Sequence, residues 1–296
     1  MLCIINAFSE DIGILYSNTN DIYEKIARNF ISQSKKNRHK VIKIDYIGND
    51  VPEMAKNINN KGCKYIFTIG SNATSAAKST GIKGVFTMVV DPVNQDLIDR
   101  DGKPKGALTG VLINVSPDTQ FSTLKLMFKN HSMSAGIIYN PDISGFVVSE
   151  YRKSEPEYDY QILEFPVSNS DEIPEALNRI KTDANFILSV VDNMVYNSKN
   201  AQFITRFSVL NKIPLIGFSP QMVEAGALIG FYCDYPKLGD QSANLMEKLI
   251  KAENVYSVQV ELPDNINFSI NKTIASVMKV DISETLKNNA EKLYGN

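Results

Sequence analysis

One short phrase occurs twice in the chain. Gly13-Ile14-Leu15-Tyr16-Ser17-Asn18 returns as Gly136-Ile137-Ile138-Tyr139-Asn140-Pro141, about one domain length further on. Each copy is an apolar run that ends in small polar residues, and each precedes a segment with helical periodicity. A run of this kind, buried on both faces and opening into a polar loop, is how the first strand of a parallel α/β unit reads. Two such openings predict an α/β chain of two similar Rossmann-like lobes with parallel sheets. Ligands of such folds sit at the carboxyl ends of the strands, so the expectation is a ligand cleft between the lobes.

The length allows this. At 296 residues the chain can build two separate cores. Lys and Arg total 31 against 33 Asp and Glu, a formal net charge of -2, so no concentrated basic face for nucleic acid is expected. The densest basic run, Lys35-Lys36-Asn37-Arg38-His39-Lys40, reads as the cationic C-terminal end of the first helix. Cys3, Cys63 and Cys233 show no CxxC spacing, which argues against a zinc site or disulfide framework; Cys63 and Cys233 read as buried small hydrophobes. No run approaches the roughly 20 apolar residues that span a bilayer. Residues 1–5 are apolar, and Ala7-Phe8-Ser9 puts small residues where a signal peptidase reads, although a charged n-region and most of an apolar core are missing. Two readings follow. The chain is cytoplasmic, or residues 1–9 are the remnant of a longer signal peptide and the mature form begins near Glu10; the second is preferred.

Strands are predicted over 12–17, 41–46, 65–69 and 85–90, with helices over 21–34, 52–60 and 71–78. A polar loop at 99–105 precedes a strand over 108–115 that leads out of the first lobe, and a helix follows over 116–129. The second lobe repeats the plan with strands over 135–139, 160–165, 186–191, 214–218 and 227–233. Its helices are expected over 146–153, 170–181, 199–211 and 220–226. A long amphipathic helix over 239–251 and a polar tail close the chain. Sustained βαβ alternation predicts parallel sheets with right-handed crossovers.

Catalytic signatures are absent from the sequence. It contains no HExxH, GxSxG, P-loop or GxGxxG. Its two histidines, His39 and His131, fall in polar stretches and read as surface or helix-end residues. What recurs is a small polar or acidic residue where a buried strand ends. Ser71-Asn72-Ala73-Thr74 follows Ile69-Gly70 and heads a helix, which makes it either a carboxylate or phosphate site or a simple N-cap by Ser71. Asp91, Asp192-Asn193 and Asp234 each close a predicted strand. Each alone reads equally as a turn cap; as a set of three they point to a site that meets a cation. Tyr16, Tyr139 and Phe218 stand near the same ends, although core packing is the commoner fate of such residues.

The order of these phrases carries a resemblance. Thr68-Ile69-Gly70-Ser71-Asn72-Ala73-Thr74-Ser75-Ala76-Ala77 is followed by Val85-Phe86-Thr87-Met88-Val89-Val90-Asp91-Pro92-Val93 and Leu108-Thr109-Gly110-Val111. Then come the second Gly-Ile phrase, Val191-Asp192-Asn193, Val223-Glu224-Ala225-Gly226-Ala227-Leu228 and Cys233-Asp234-Tyr235-Pro236-Lys237-Leu238-Gly239. From Asp11 onward the chain resembles the ABC-transporter substrate-binding proteins of the tryptophan-binding type, with the type I periplasmic-binding fold. The resemblance implies two lobes joined by three crossovers and closing on a ligand by hinge motion. It divides the chain into 10–114 plus about 237–262, and 115–236 plus about 263–296.

It further implies an exported solute-binding protein, without cofactor or metal, that hands an amino acid or similar zwitterion to an ABC permease. The mature chain would be periplasmic or otherwise extracytoplasmic, and would not insert in the membrane. Ser71, Asn72, Ala73 and Thr74 would hold the α-carboxylate. Asp91, Asp192 or Asp234 would meet the α-ammonium. Ser17, Asn18 and Asn140 would line the cleft mouth, with Asn193 and the aromatics Tyr16 and Phe218 completing the site. The chain departs from the family in placing Val90 and Val191 where relatives commonly have Thr, which removes two hydroxyls from that cleft. A ligand-sensing module of the same fold and an α/β enzyme using carboxylates are the competing readings.

Overall fold

A computed structural model describes residues 9–44, 48, 50–128 and 132–295. The suspected signal remnant (but for Ser9), Cys3, the end of the 41–46 strand and His131 lie outside those residues. The chain divides into two compact units, residues 1–113 with 234–265 and residues 114–233 with 266–296.

Unit 1 alternates β1 (Asp11–Tyr16), α1 (Asp21–Lys36), β2 (Lys40–Lys43), α2 (Val51–Lys61), β3 (Tyr65–Ile69), α3 (Ser71–Thr80), β4 (Gly84–Thr87) and β5 (Leu108–Gly110). Its sheet has the order β2-β1-β3-β4-β5 and every ladder is parallel. β1, β3 and β4 are buried along nearly their whole length, as strands covered on both faces must be. Local signals set the helix ends. The Asn20 side chain caps α1, the Asp50 side chain caps α2, and Gly62 in the left-handed region ends α2.

Unit 2 contains α4 (Pro117–Phe128), β6 (Met133–Tyr139), α5 (Pro141–Tyr158), β7 (Tyr160–Pro166), α6 (Ile173–Asp183), β8 (Phe186–Leu188), α7 (Ser198–Asn211), β9 (Leu215–Gly217), α8 (Pro220–Ala225) and β10 (Ile229–Cys233). After α9 (Tyr235–Lys251), which belongs to unit 1, the chain adds β11 (Ile266–Asn271), α10 (Lys272–Val277), α11 (Glu284–Asn289) and β12 (Lys292–Tyr294) to unit 2. The sheet order is β12-β11-β10-β9-β8-β6-β7.

Four expectations need correction. The β10–β11 ladder is antiparallel, so the second sheet is mixed; the tail that builds β11 and β12 has no strong periodicity. α5 runs from Pro141 to Tyr158, well beyond 146–153, because Asn140 caps it and Pro141 occupies its first turn. β4 and β8 stop at Thr87 and Leu188, so Asp91 and Asp192 lie in the loops beyond and not at strand ends. His39 is buried: Nδ1 accepts the Glu10 N–H at 3.1 Å, and Nε2 meets the Glu247 carboxylate on α9. Cys63 and Cys233 are buried free thiols.

α9 lies along α1. Leu238, Leu245, Met246 and Leu249 of α9 and Ile26, Ala27 and Phe30 of α1 are all buried. Gly239 is where the two backbones come closest: a Cβ there would stand 2.2 Å from the Ile26 carbonyl oxygen.

Candidate ligand site at the strand ends

The strand order of unit 1 is the 2-1-3-4-5 order of a doubly wound sheet. Its crossovers leave on opposite sides at the junction between β1 and β3, and ligands of such sheets bind outside the carboxyl ends at that junction. β7-β6-β8-β9-β10 in unit 2 repeats the order, with β6 and β8 at the junction. The repeated Gly-Ile phrase is thus the first strand of each sheet, and its polar end arrives at each switch point.

In unit 1, the Ser17 N–H donates to the Ile69 carbonyl at 2.8 Å, which lays the residue alongside the end of β3. Its Oγ accepts the Ala73 N–H at 2.8 Å. The N-cap of α3 is therefore supplied from the neighbouring strand. Gly70 occupies the cap position with φ 96 and offers no side chain, and a Cβ there would sit 2.8 Å from Ser17 Oγ and 2.9 Å from Tyr23 Cε1. The expected cap by Ser71 is not what forms. Ser71 is half-buried and accepts the Gln95 amide at 3.1 Å, while Asn72 is half-buried beside it. Ala73 and Thr74 point into the core; Thr74 Oγ1 donates to the Gly70 carbonyl at 2.8 Å. Asn18 is exposed and accepts the Asn20 N–H. Tyr16 is core-packed, with its hydroxyl donating to Glu24 at 2.7 Å. Asp91 accepts from the backbone and side chain of Asn94, closing its own turn.

In unit 2 the tie across the switch point has the opposite polarity. Asp192 is 1% exposed. One carboxylate oxygen accepts the Asn140 N–H at 2.8 Å and the Ser144 hydroxyl at 2.7 Å; the other accepts the Met194 and Val195 N–H groups, each at 3.0 Å. Four donors meet a group with about four acceptor directions. Asp192 thus pins the loop after β8 to the start of α5. The Asn140 side chain caps α5 by accepting the Asp142 N–H. Tyr139 donates to Glu164 at 2.5 Å, and burial together with that carboxylate pushes its phenol up to about 12. Asn193 is exposed, and the half-buried Phe218 stands edge-on to Tyr196 with ring centroids 5.5 Å apart. Asp234 caps α9 through one oxygen, which accepts the Lys237 N–H at 3.3 Å.

The structure therefore brings Ser17, Ser71 and Asn72 together at one switch point, and Asn140, Asp192 and Asn193 at the other. Tyr16, Ala73 and Thr74 are withdrawn into the core. Ser144, Gln95 and Tyr196 were not anticipated. Ser144 carries a signal in hindsight, since it falls four residues after the Asn140 cap on a helix expected to start later. Among the described residues, no three His, Cys, Asp or Glu side chains are placed to hold a metal ion.

Two doubly wound units with polar switch points define a fold of the periplasmic-binding-protein type, and solved structures agree. A ligand-free, open substrate-binding protein with adhesive properties from Clostridium difficile superposes with a TM-score of 0.73 at 21% identity, covering 97% of this chain and 100% of its own. A domain from Streptococcus pneumonia in complex with L-Trp gives 0.65 at 20% identity, with the same coverage. The family model for ABC transporter substrate binding proteins matches residues 45–294, and the chain belongs to that family. A tyrosine-binding protein of Clostridioides difficile is 25% identical over 275 residues, 89% of this chain and 79% of its own.

Proposed function

We propose that this substrate-binding protein captures a free amino acid with an aromatic side chain, and presents it outside the cytoplasm to the permease of an ABC uptake system without transforming it. The observation that carries this reading is the α3 N-terminus at the unit 1 switch point. The first amides of a helix have no intrahelical partner, and Ser17 accepts that of Ala73. This helix start, with the half-buried Ser71 Oγ beside it, suits a carboxylate. The similarity to a tyrosine-binding protein and to an L-Trp complex supports an aromatic zwitterion.

The α-ammonium needs an acceptor that the fold has not already used. Asp192 is spent on four internal donors, and Asp91 on Asn94. Asp234 commits one oxygen to a long capping bond, and among the described residues its other oxygen has no hydrogen-bond partner. We infer that Asp234 is the carboxylate that meets the ammonium.

A thermal-shift panel of amino acids, nucleosides and sugars on the refolded, ligand-stripped chain tests the reading. A ligand at a hundred times its Kd adds about 2.7 kcal/mol. The expected result is a shift of several degrees with L-tyrosine or L-tryptophan, reduced in Asp234→Ala and Ser71→Ala. A panel that shifts only with sugars or nucleosides would overturn it.

A further inference from the structure

The ligand reading leaves the basic run at Lys35–Lys40 unused, and the fold gives that run neighbours. Lys35 and Lys36 lie in the last turn of α1, and Arg38 follows with φ 68. All three are exposed, and none has a carboxylate in ion-pair reach among the described residues. α9 runs beside α1 in the same direction, since Asn29 meets Asp240, Gln33 meets Asn244 and His39 meets Glu247. Both helices therefore finish at the same end of unit 1, where α9 adds Lys248 and Lys251 in its last turn.

The strands begin at that end too. Lys40 opens β2 opposite Asp11, Lys64 precedes β3, and Lys83 precedes β4. Lys83 Nζ donates to the Glu253 carbonyl at 3.3 Å, which ties the β4 start to the segment after α9. Carboxylates answer only some of these charges: Asp11 faces Lys40, Glu10 faces Lys64, Glu247 faces Lys251 and Glu261 faces Lys248. Cations favour helix C-termini, and a parallel sheet collects those termini on one face, so their fields add. The buried His39, clamped between Glu10 and Glu247, fixes the turn that displays Arg38.

Two further features sit beside the cluster. Tyr256, in the turn just past α9, is 62% exposed. A groove of about 370 Å³ is lined by Lys248, Lys251, Ser257, Gln259 and Glu261 together with apolar side chains. An end of the unit that is rich in cations, with Lys35, Lys36 and Arg38 unpaired among the described residues, and that also carries an exposed tyrosine has the features of a lipid headgroup interface, where aromatic rings settle among the headgroups.

We propose that this basic end of unit 1 rests on an anionic lipid surface, held by charge and by Tyr256 without insertion of a helix. The segment leading into β1 joins unit 1 at the same end, since Glu10 pairs with Lys64 there. This contact goes beyond the ligand reading and stands whether or not an amino acid binds.

Co-sedimentation with phosphatidylcholine vesicles, with and without phosphatidylglycerol, tests it. Binding is expected only with phosphatidylglycerol and should weaken as salt rises. Lys35→Glu/Lys36→Glu/Arg38→Glu should lower the partition coefficient at least about tenfold, and Tyr256→Ser should lower it by less. Lys199→Glu/Arg206→Glu/Lys212→Glu makes the same change of net charge on unit 2 and should leave binding near wild type. Equal binding to neutral vesicles, no binding to anionic ones, or equal losses in the two triple variants would each overturn the proposal.

Discussion

At the scale of single residues, Asp192 shows how a position legible as polar and strand-terminal can serve structure. The sequence offered two roles for it, turn cap and ammonium partner, and could not show that Asn140 and Ser144 would arrive from 50 residues away to fill its second oxygen. Asp192→Ala orphans four donors, two of them, from Ser144 and Val195, on buried residues. It should lower unfolding free energy by about 3 kcal/mol or more, at 1–3 kcal/mol per unsatisfied group, read from the urea midpoint. Asp192→Asn keeps one oxygen acceptor and should cost less. Loss of ligand binding in Asp192→Ala would thus report a collapsed loop, and for this reason Asp234 and Ser71 are the informative substitutions. Ser17→Ala removes the acceptor for the Ala73 amide and should cost about 1 kcal/mol, the worth of an N-cap; an unchanged midpoint would show that the α3 N-terminus is satisfied otherwise. Ser17 itself was legible as a first-loop residue, but its capping of α3, five elements later, depends on β1 and β3 being neighbours, which local pattern does not encode.

At the scale of elements, β3 was predicted with its observed bounds and α2 to within a residue at each end, because each signal was local. An apolar run bounded by Lys64 and Gly70 marks β3, and a proline start with a glycine stop marks α2. α9 was predicted late, at Gly239, because Pro236 reads as a breaker although it occupies the first helical turn after the Asp234 cap. Gly239 reads as a helix start and is in fact the closest approach between α9 and α1. Gly239→Ala would drive a methyl into the Ile26 carbonyl and should destabilise by about 1–3 kcal/mol, the range for overpacking. The helix itself should gain from alanine, so stabilisation would show that α1 and α9 can separate freely. The strand β11 escaped notice because its half-buried start, Ile-Asn-Phe, carries weak alternation and its antiparallel partner is given only by the tertiary fold.

At the scale of the whole molecule, the repeated phrase and the βαβ rhythm disclosed two doubly wound units, and the order of the motifs disclosed the family. The assignment of donors and acceptors at the switch points was not legible, since it depends on which loops meet. Buried phenols give the folded chain a pH signature. Burial holds Tyr139 and Tyr160 at about 12, against about 10 for a free phenol. Above pH 10 the unfolded chain binds fewer protons than the folded one, so stability present below pH 10 should fall steadily toward pH 12. Ultraviolet titration should show these phenolates appearing late and together with unfolding; their ionisation near pH 10 with the fold intact would contradict the burial. The most direct measurement of the central claim is calorimetric titration of the ligand-stripped chain with L-tyrosine and L-tryptophan, alongside their des-amino and decarboxylated analogues. The expected result is saturable one-to-one binding of an intact aromatic amino acid, with both analogues much weaker. Absence of heat with every amino acid, or equal binding of the analogues, would contradict a site built to hold an aromatic zwitterion by both its charged ends.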